Sequence, residues 1–247
     1  MSATQNTVEI IGDDDLCRLL LSRSIPEGMP VDFYDDVLES IRPYAFYGMA
    51  GLESVELPNV TTLGRQAFYQ CPDLERVTLP LVQILPENCF SGCTNLAELD
   101  APNVTQLESY CLLNCGIASV SFPNLTLLSF LGYIFSSCTS LVDVRLPKLS
   151  SLSSNTFYNC TSLTQIDLPS IVTIDSNAFK NASSLQVVNI GPKIRNIFST
   201  AFSNTPEGLV INLPVAEGAI SGAPWGATNA VINYETPYAG TVPIPES

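Results

Sequence analysis

The chain has 247 residues, 46% of them hydrophobic and 14% charged, with a formal net charge of −14. It is too apolar to be disordered and long enough to bury a continuous core, and ten Lys and Arg against 24 Asp and Glu exclude binding to a phosphate backbone by neutralisation. There is no histidine, which excludes Ser-His-Asp and Cys-His catalysis and every His-containing zinc site.

The N-terminus carries Glu9 and Asp13 to Asp15 where a secretory leader would be basic and then apolar, so no leader is read there. Asp13-Asp14-Asp15 followed by Leu16, Leu19 and Leu20 predicts the acidic first turn and apolar face of a short helix. Asp32 to Ile41 predicts a second helix, with Phe33, Val37 and Ile41 four apart. Residues 1–40 hold nine acidic and two basic residues. They are expected to form a helical N-terminal cap, with an independent interaction head as the alternative.

From residue 41 the chain repeats. Pro58, Pro80, Pro102, Pro123, Pro147, Pro169, Pro192 and Pro214 recur at 22, 22, 21, 24, 22, 23 and 22 residues. Phe46, Phe68, Phe90, Leu112, Phe135, Phe157, Phe179 and Phe202 recur in the same phase, as do Met49, Cys71, Cys93, Cys115, Cys138, Cys160, Ala182 and Thr205. Eight units over residues 41–214 follow. Within a unit, apolar residues alternate as in Val77 and Leu79, predicting a half-buried strand that Pro80 ends. Val82 and Leu85 then point back inside, and a small residue precedes the buried ring. A turn column follows: Gly48, Gln70, Gly92, Asn114, Ser137, Asn159, Asn181 and Asn204, mostly residues that tolerate a left-handed backbone. One unit buries too little to fold alone, so stacking must complete the core.

The stretch Leu125 to Phe135 is the most apolar, but Thr126, Ser129 and Gly132 break it and it is about half the length of a membrane span. Beyond Pro214, residues 215–234 are expected to cap the array, with Ile220, Trp225, Val231 and Tyr234 over the last rung. Residues 235–247 are expected to be a Pro-rich extended tail.

The unit L-x-x-V-x-L-P-x-V-x-x-L-x-x-x-A-F-x-x-C, seen in Leu74-x-x-Val77-x-Leu79-Pro80, Leu163-x-x-Ile166-x-Leu168-Pro169, Ala67-Phe68 and Cys160, resembles the BspA-type leucine-rich repeat. Leu112 in the ring column, Ala101 in the strand and the unit from Phe122 to Phe135 depart from it. Ile211-Asn212-Leu213-Pro214 with Ala223 to Asn229 is similar to the C-terminal cap of leucine-rich proteins encoded by phages and prophages. The expected fold is therefore an α/β-type solenoid: a leucine-rich repeat array with a parallel sheet of about eight short strands and a short N-terminal helical cap. The resemblance implies a surface-displayed recognition or adhesion protein without known catalysis.

Cys89-x3-Cys93 and Cys111-x3-Cys115 have zinc-like spacing. Both columns also accept Ala, however, which needs only a small buried residue. Free buried thiols are expected, and no metal, cofactor or catalytic group. The sequons at Asn59, Asn103, Asn124, Asn159 and Asn181 arise from the repeat itself.

The outward strand positions are the candidate binding face. One column is Ser54, Arg76, Glu98, Ser119, Asp143, Gln165 and Val187, and the other is Glu56, Thr78, Asp100, Ser121, Arg145, Asp167 and Asn189. Arg76, Glu98, Asp100, Asp143, Arg145 and Asp167 are the expected ligand contacts. Arg145 is expected to lie beside Asp143 and Asp167. The expected partner is a protein or glycan on a host cell surface, met from a bacterial surface or a phage particle. A structural subunit of a virion or surface complex is the alternative. A carboxylate hydrolase, needing only two of Glu98, Asp100, Asp143 and Asp167, is a third reading.

Overall fold

The computed structural model describes residues 31–243. The path begins with β1 (Val31–Tyr34), β2 (Ser40–Ile41), β3 (Leu52–Glu56), β4 (Thr62–Leu63), β5 (Arg76–Thr78) and β6 (Ile84–Leu85). It continues with β7 (Glu98–Asp100), β8 (Gln106–Leu107), β9 (Ser119–Ser121), β10 (Leu127–Leu128), β11 (Asp143–Arg145) and β12 (Ser151–Leu152). It closes with β13 (Gln165–Leu168), β14 (Thr173–Ile174), β15 (Val187–Ile190), β16 (Asn196–Ile197), β17 (Val210–Asn212) and β18 (Val231–Asn233). The longer strands stack in parallel as β1-β3-β5-β7, β9-β11 and β13-β15-β17-β18. The two-residue strands stack on a second side as β2-β4, β6-β8-β10 and β12-β14-β16. The molecule is a parallel β-solenoid.

Two sequence expectations are corrected here. No helix occurs among the described residues, so the fold is all-β rather than α/β. The helix expected from Asp32 to Ile41 is instead β1, a corner and β2. Asp35 makes that corner, its Oδ1 accepting the Val37 and Leu38 N–H groups at 2.8 Å. Phe33 and Ile41 are buried as a helix would bury them, but Val37 is 71% exposed. The four-residue spacing was thus two strand positions and one corner residue, with Phe33 packed 5.1 Å from Phe46. The helix expected at Asp13 to Leu20 lies outside the described residues. At the other end Val231 is exposed and Ile232 packs on the core, because strand alternation in β18 turns one of the two outward.

The third side is the turn column. All eight of its predicted residues have positive φ, from 54° at Gln70 to 80° at Gly92. A second left-handed residue lies four earlier, at Tyr44, Gln66, Asn88, Tyr110, Tyr133, Asn155 and Asn177. Between them the ring residue's N–H reaches the next rung, as from Phe68 to the Cys89 carbonyl at 2.8 Å. The ladder therefore runs round the corner as well as along the strands. Inside, the rings of Phe46, Phe68 and Phe90 stack at 4.9 and 5.2 Å, and those of Phe135, Phe157, Phe179 and Phe202 at 5.2 to 5.4 Å. Leu112 interrupts the stack. Phe122, in the inward strand position held by Ala101 one rung before, supplies the missing bulk from 6.5 Å beneath Phe135.

The irregular unit has a local cause. Asn88 turns three residues after β6, whereas Tyr133 turns five after β10. The two extra residues push Phe130 and Leu131 out, 86% and 60% exposed. Gly116, in the short unit before it, lies against the Thr94 carbonyl oxygen where any Cβ would collide. Sequon residues serve the stack: Asn59, Asn103 and Asn124 each donate Nδ2 to a carbonyl of the rung below, those of Asp36, Pro80 and Pro102.

Candidate functional site

Register puts the two predicted outward columns on one face. Asp32, Ser54, Arg76 and Glu98 stand in one line and Tyr34, Glu56, Thr78 and Asp100 in the other, across β1, β3, β5 and β7. Asp143 and Arg145 lie over Ser119 and Ser121, and Asp167 beside Asn189. The sequence reading ended this face at Ser54 and found no ring on it. The structure adds a rung, β1, and with it Tyr34, 40% exposed. The signal was present in Val31-Asp32-Phe33-Tyr34, whose alternation is that of a strand, but the spacing of Val37 and Ile41 suggested a helix.

The open part of the face spans β1 to β11. A concavity of about 430 Å³ lies over the first three rungs, lined by Asp32, Tyr34, Ser54, Glu56, Arg76 and Thr78. Arg76 Nε donates to Glu98 Oε2 at 2.8 Å, with both side chains more than half exposed. A second concavity of about 380 Å³ is lined by Glu98, Asp100, Ser119 and Ser121. Arg145 Nε donates to Asp143 Oδ2 at 3.2 Å. Such exposed pairs contribute little stability. They place two guanidinium groups on an acidic face, each engaged through Nε and more than half exposed.

Asp167, the sixth expected contact, has a different environment. It is buried, and no ion pair joins it to Arg145. Its Oδ1 accepts Nδ2 of Asn189 at 2.7 Å and Nε2 of Gln165 at 3.3 Å. Its Oδ2 accepts the Thr241 N–H at 2.6 Å, the Thr241 hydroxyl at 2.9 Å and the Val242 N–H at 3.3 Å. Burial pushes the Asp167 carboxyl up, but the donors on Asn189, Thr241 and Val242 outweigh it and hold the group below its ordinary range. An amide ladder extends from it, Asn212 donating to Asn189 at 2.7 Å and Asn233 to Asn212 at 2.8 Å. The C-terminal tail thus folds back over the last four rungs. No sequence signal joined residues 74 positions apart.

The cysteines lie away from the face. Cys71, Cys93, Cys115, Cys138 and Cys160 each donate Sγ–H to the carbonyl of the ring-column residue one rung below, at 3.0 to 3.1 Å. Burial pushes the Cys138 thiol up to about 12. Thr205, in the same column, donates its hydroxyl instead to the carbonyl of its own rung's ring residue, Phe202, at 2.8 Å, and Ala182 is buried there with no side-chain donor. Among the described residues, no three Cys, Asp or Glu stand close enough to share a metal ion.

Comparison with known proteins follows this geometry. A family model for the BspA type leucine rich repeat region matches residues 32–130 and 105–217. A leucine-rich repeat protein from Bacteroides ovatus is similar in fold over 95% of this chain and 61% of its own length, at 22% identity and a TM-score of 0.67. The chain thus spans about three fifths of that relative. The leucine rich repeat protein of T. pallidum is similar over 77% of this chain and 86% of its own, at 24% identity and a TM-score of 0.55. No curated protein matches the chain.

Proposed function

Because the chain belongs to the BspA-type leucine-rich repeat family, we propose that it is a non-catalytic recognition module whose open strand face binds a protein or glycan on a host cell surface. The setting we propose is a bacterial surface or a phage particle. The second rests on the resemblance of Ile211 to Pro214 and Ala223 to Asn229 to prophage-encoded caps. One observation supports the reading above others. The strand face from β1 to β11 is open, with concavities over its first three rungs and beside Glu98 to Ser121, and it carries Arg76 and Arg145 as donors among carboxylates. A guanidinium placed in this way offers directional, paired donors to a partner's carboxylate or hydroxyl groups.

The test is charge reversal. Arg76→Glu combined with Arg145→Glu should leave the melting temperature unchanged, because exposed charge changes usually move stability by less than about 0.5 kcal/mol. It should slow association with host cells or a purified partner. A double variant that binds as well as the parent removes the face from the site and transfers attention to residues 1–40.

A further inference from the structure

The tail shows what the strand face can hold. From Glu235 to Val242 exposure alternates: residues 235, 237, 239 and 241 face solvent while 236, 238, 240 and 242 turn inward. Between the turn at Glu235 and the bend at Thr241 and Val242, the chain lies against the sheet with alternate residues turned inward. Its root is fixed by main-chain bonds, Glu235 N–H to the Val215 carbonyl and Thr236 N–H to the Leu213 carbonyl, both at 3.0 Å. Its far end is held by one carboxylate oxygen, Asp167 Oδ2, which takes two successive backbone N–H groups and a hydroxyl. Tyr238 closes the loop by donating its hydroxyl to the Val242 carbonyl at 2.7 Å. Gly240 passes so near that an added Cβ would lie 2.7 Å from Asp167 Cγ and would also strike the Tyr238 hydroxyl. The contact requires a residue without a side chain at this place.

We propose that the strand face over β13, β15, β17 and β18 is a docking groove for an extended peptide, occupied in cis by the tail and opened to a partner peptide when the tail is displaced. The proposal rests on the strand face being the recognition surface, and it names the partner chemistry for the half that the open face does not cover. Recognition is chiefly by main chain. Two adjacent N–H groups and a Ser or Thr hydroxyl converge on Asp167, and glycine precedes them. A carboxylate accepting several N–H donors is among the stronger hydrogen-bonding arrangements, and the amide ladder of Asn189, Asn212 and Asn233 extends from it along the same column. The tail is tethered, so its effective concentration at the groove is on the order of millimolar. A free peptide therefore competes poorly until the latch at Asp167 is released.

The experiment uses the full chain. Gly240→Val should lift the strap and leave the groove intact. In the parent, hydrogen exchange should show the Thr241 and Val242 amides protected, and this protection should vanish in Gly240→Val and in Asp167→Asn. A fluorescein-labelled peptide of residues 235–243 should then bind Gly240→Val, as read by anisotropy. Its affinity should be at least ten-fold weaker for the parent and for Gly240→Val combined with Asp167→Asn. Free exchange of both amides in the parent overturns the proposal whether or not the variant folds. Absence of peptide binding by a folded Gly240→Val, or equal binding by the parent, overturns it as well. Arg76 and Arg145 lie outside the strap, so failure here leaves the charge-reversal test of the open half to be decided separately.

Discussion

Trp225 is the only tryptophan of the chain and is fully buried just past the last complete rung. Its carbonyl accepts the Phe202 N–H at 3.0 Å, the part that the Ala201 carbonyl plays for Phe179 at 2.8 Å one rung earlier. Its ring fills the end of the core, and its Nε1 donates to the Ser221 carbonyl at 2.8 Å. Trp225→Ala keeps the backbone link and removes the ring. Truncating a buried aromatic to alanine costs about 3–5 kcal/mol. Trp225→Phe keeps part of the apolar area and loses the indole N–H, but Ser221 is exposed and water can take its carbonyl, so the loss should be smaller than for alanine. The order should be parent, then Phe, then Ala in urea unfolding followed by far-UV circular dichroism, since the variants lack the fluorophore. Light scattering should show self-association of the alanine variant, whose solenoid end is no longer covered. An alanine variant within about 1 kcal/mol of the parent and equally monomeric would refute the capping role. A phenylalanine variant as damaged as the alanine one would show that the hydrogen bond, not the ring, closes the end.

Cys71, Cys89, Cys93, Cys111, Cys115, Cys138 and Cys160 should resist a thiol reagent in the native state and react in denaturant without prior reduction, because all seven are free and buried; rapid native labelling of several of them would contradict the structure. Phe157→Ala should lower stability by about 3–5 kcal/mol, since the ring is fully buried between Phe135 and Phe179 at 5.3 and 5.4 Å, and a loss below about 1 kcal/mol on a denaturant melt would mean the ring stack is not what joins these rungs. Lowering the pH tests Asp167, whose carboxyl is held below its ordinary range. The stabilisation from its hydrogen bonds is complete above the unfolded-state value near 3.9 and is lost as pH falls through the lower folded-state value. The Thr241 amide resonance should accordingly move only on the acid side of the ordinary Asp range, and a midpoint at or above it would contradict the latch.

The repeat fixed most of the fold in advance. Strand, proline, ring, small residue and turn recur in one phase, and each position has a local physical reason: alternation for the strand, absence of N–H for Pro80, left-handed backbone for Asn114 and Asn159. The outward columns were therefore legible too, and Arg76 with Glu98 and Asp143 with Arg145 stand where period-two alternation places them. Residues outside the repeat were not legible in the same way. Phe33, Val37 and Ile41 fit a helix as well as they fit two strands and a corner, since a spacing of four is common to both until a neighbouring rung supplies a ladder. Only pairing with β3 decides the matter, and with it the place of Tyr34. The column held by Cys71 to Cys160 was readable as small and buried, but not as a donor to the rung below, because the acceptor carbonyl lies about 25 residues away and belongs to the backbone of another unit. Asp167 is the clearest case. As a sequence position it is identical in kind to Asp100, an exposed residue on the same column. What separates them is the return of the chain from β18, which brings the backbone of Thr241 and Val242 across 74 residues to one carboxylate oxygen. Periodicity determines which way a side chain points; only the path of the rest of the chain decides what covers it.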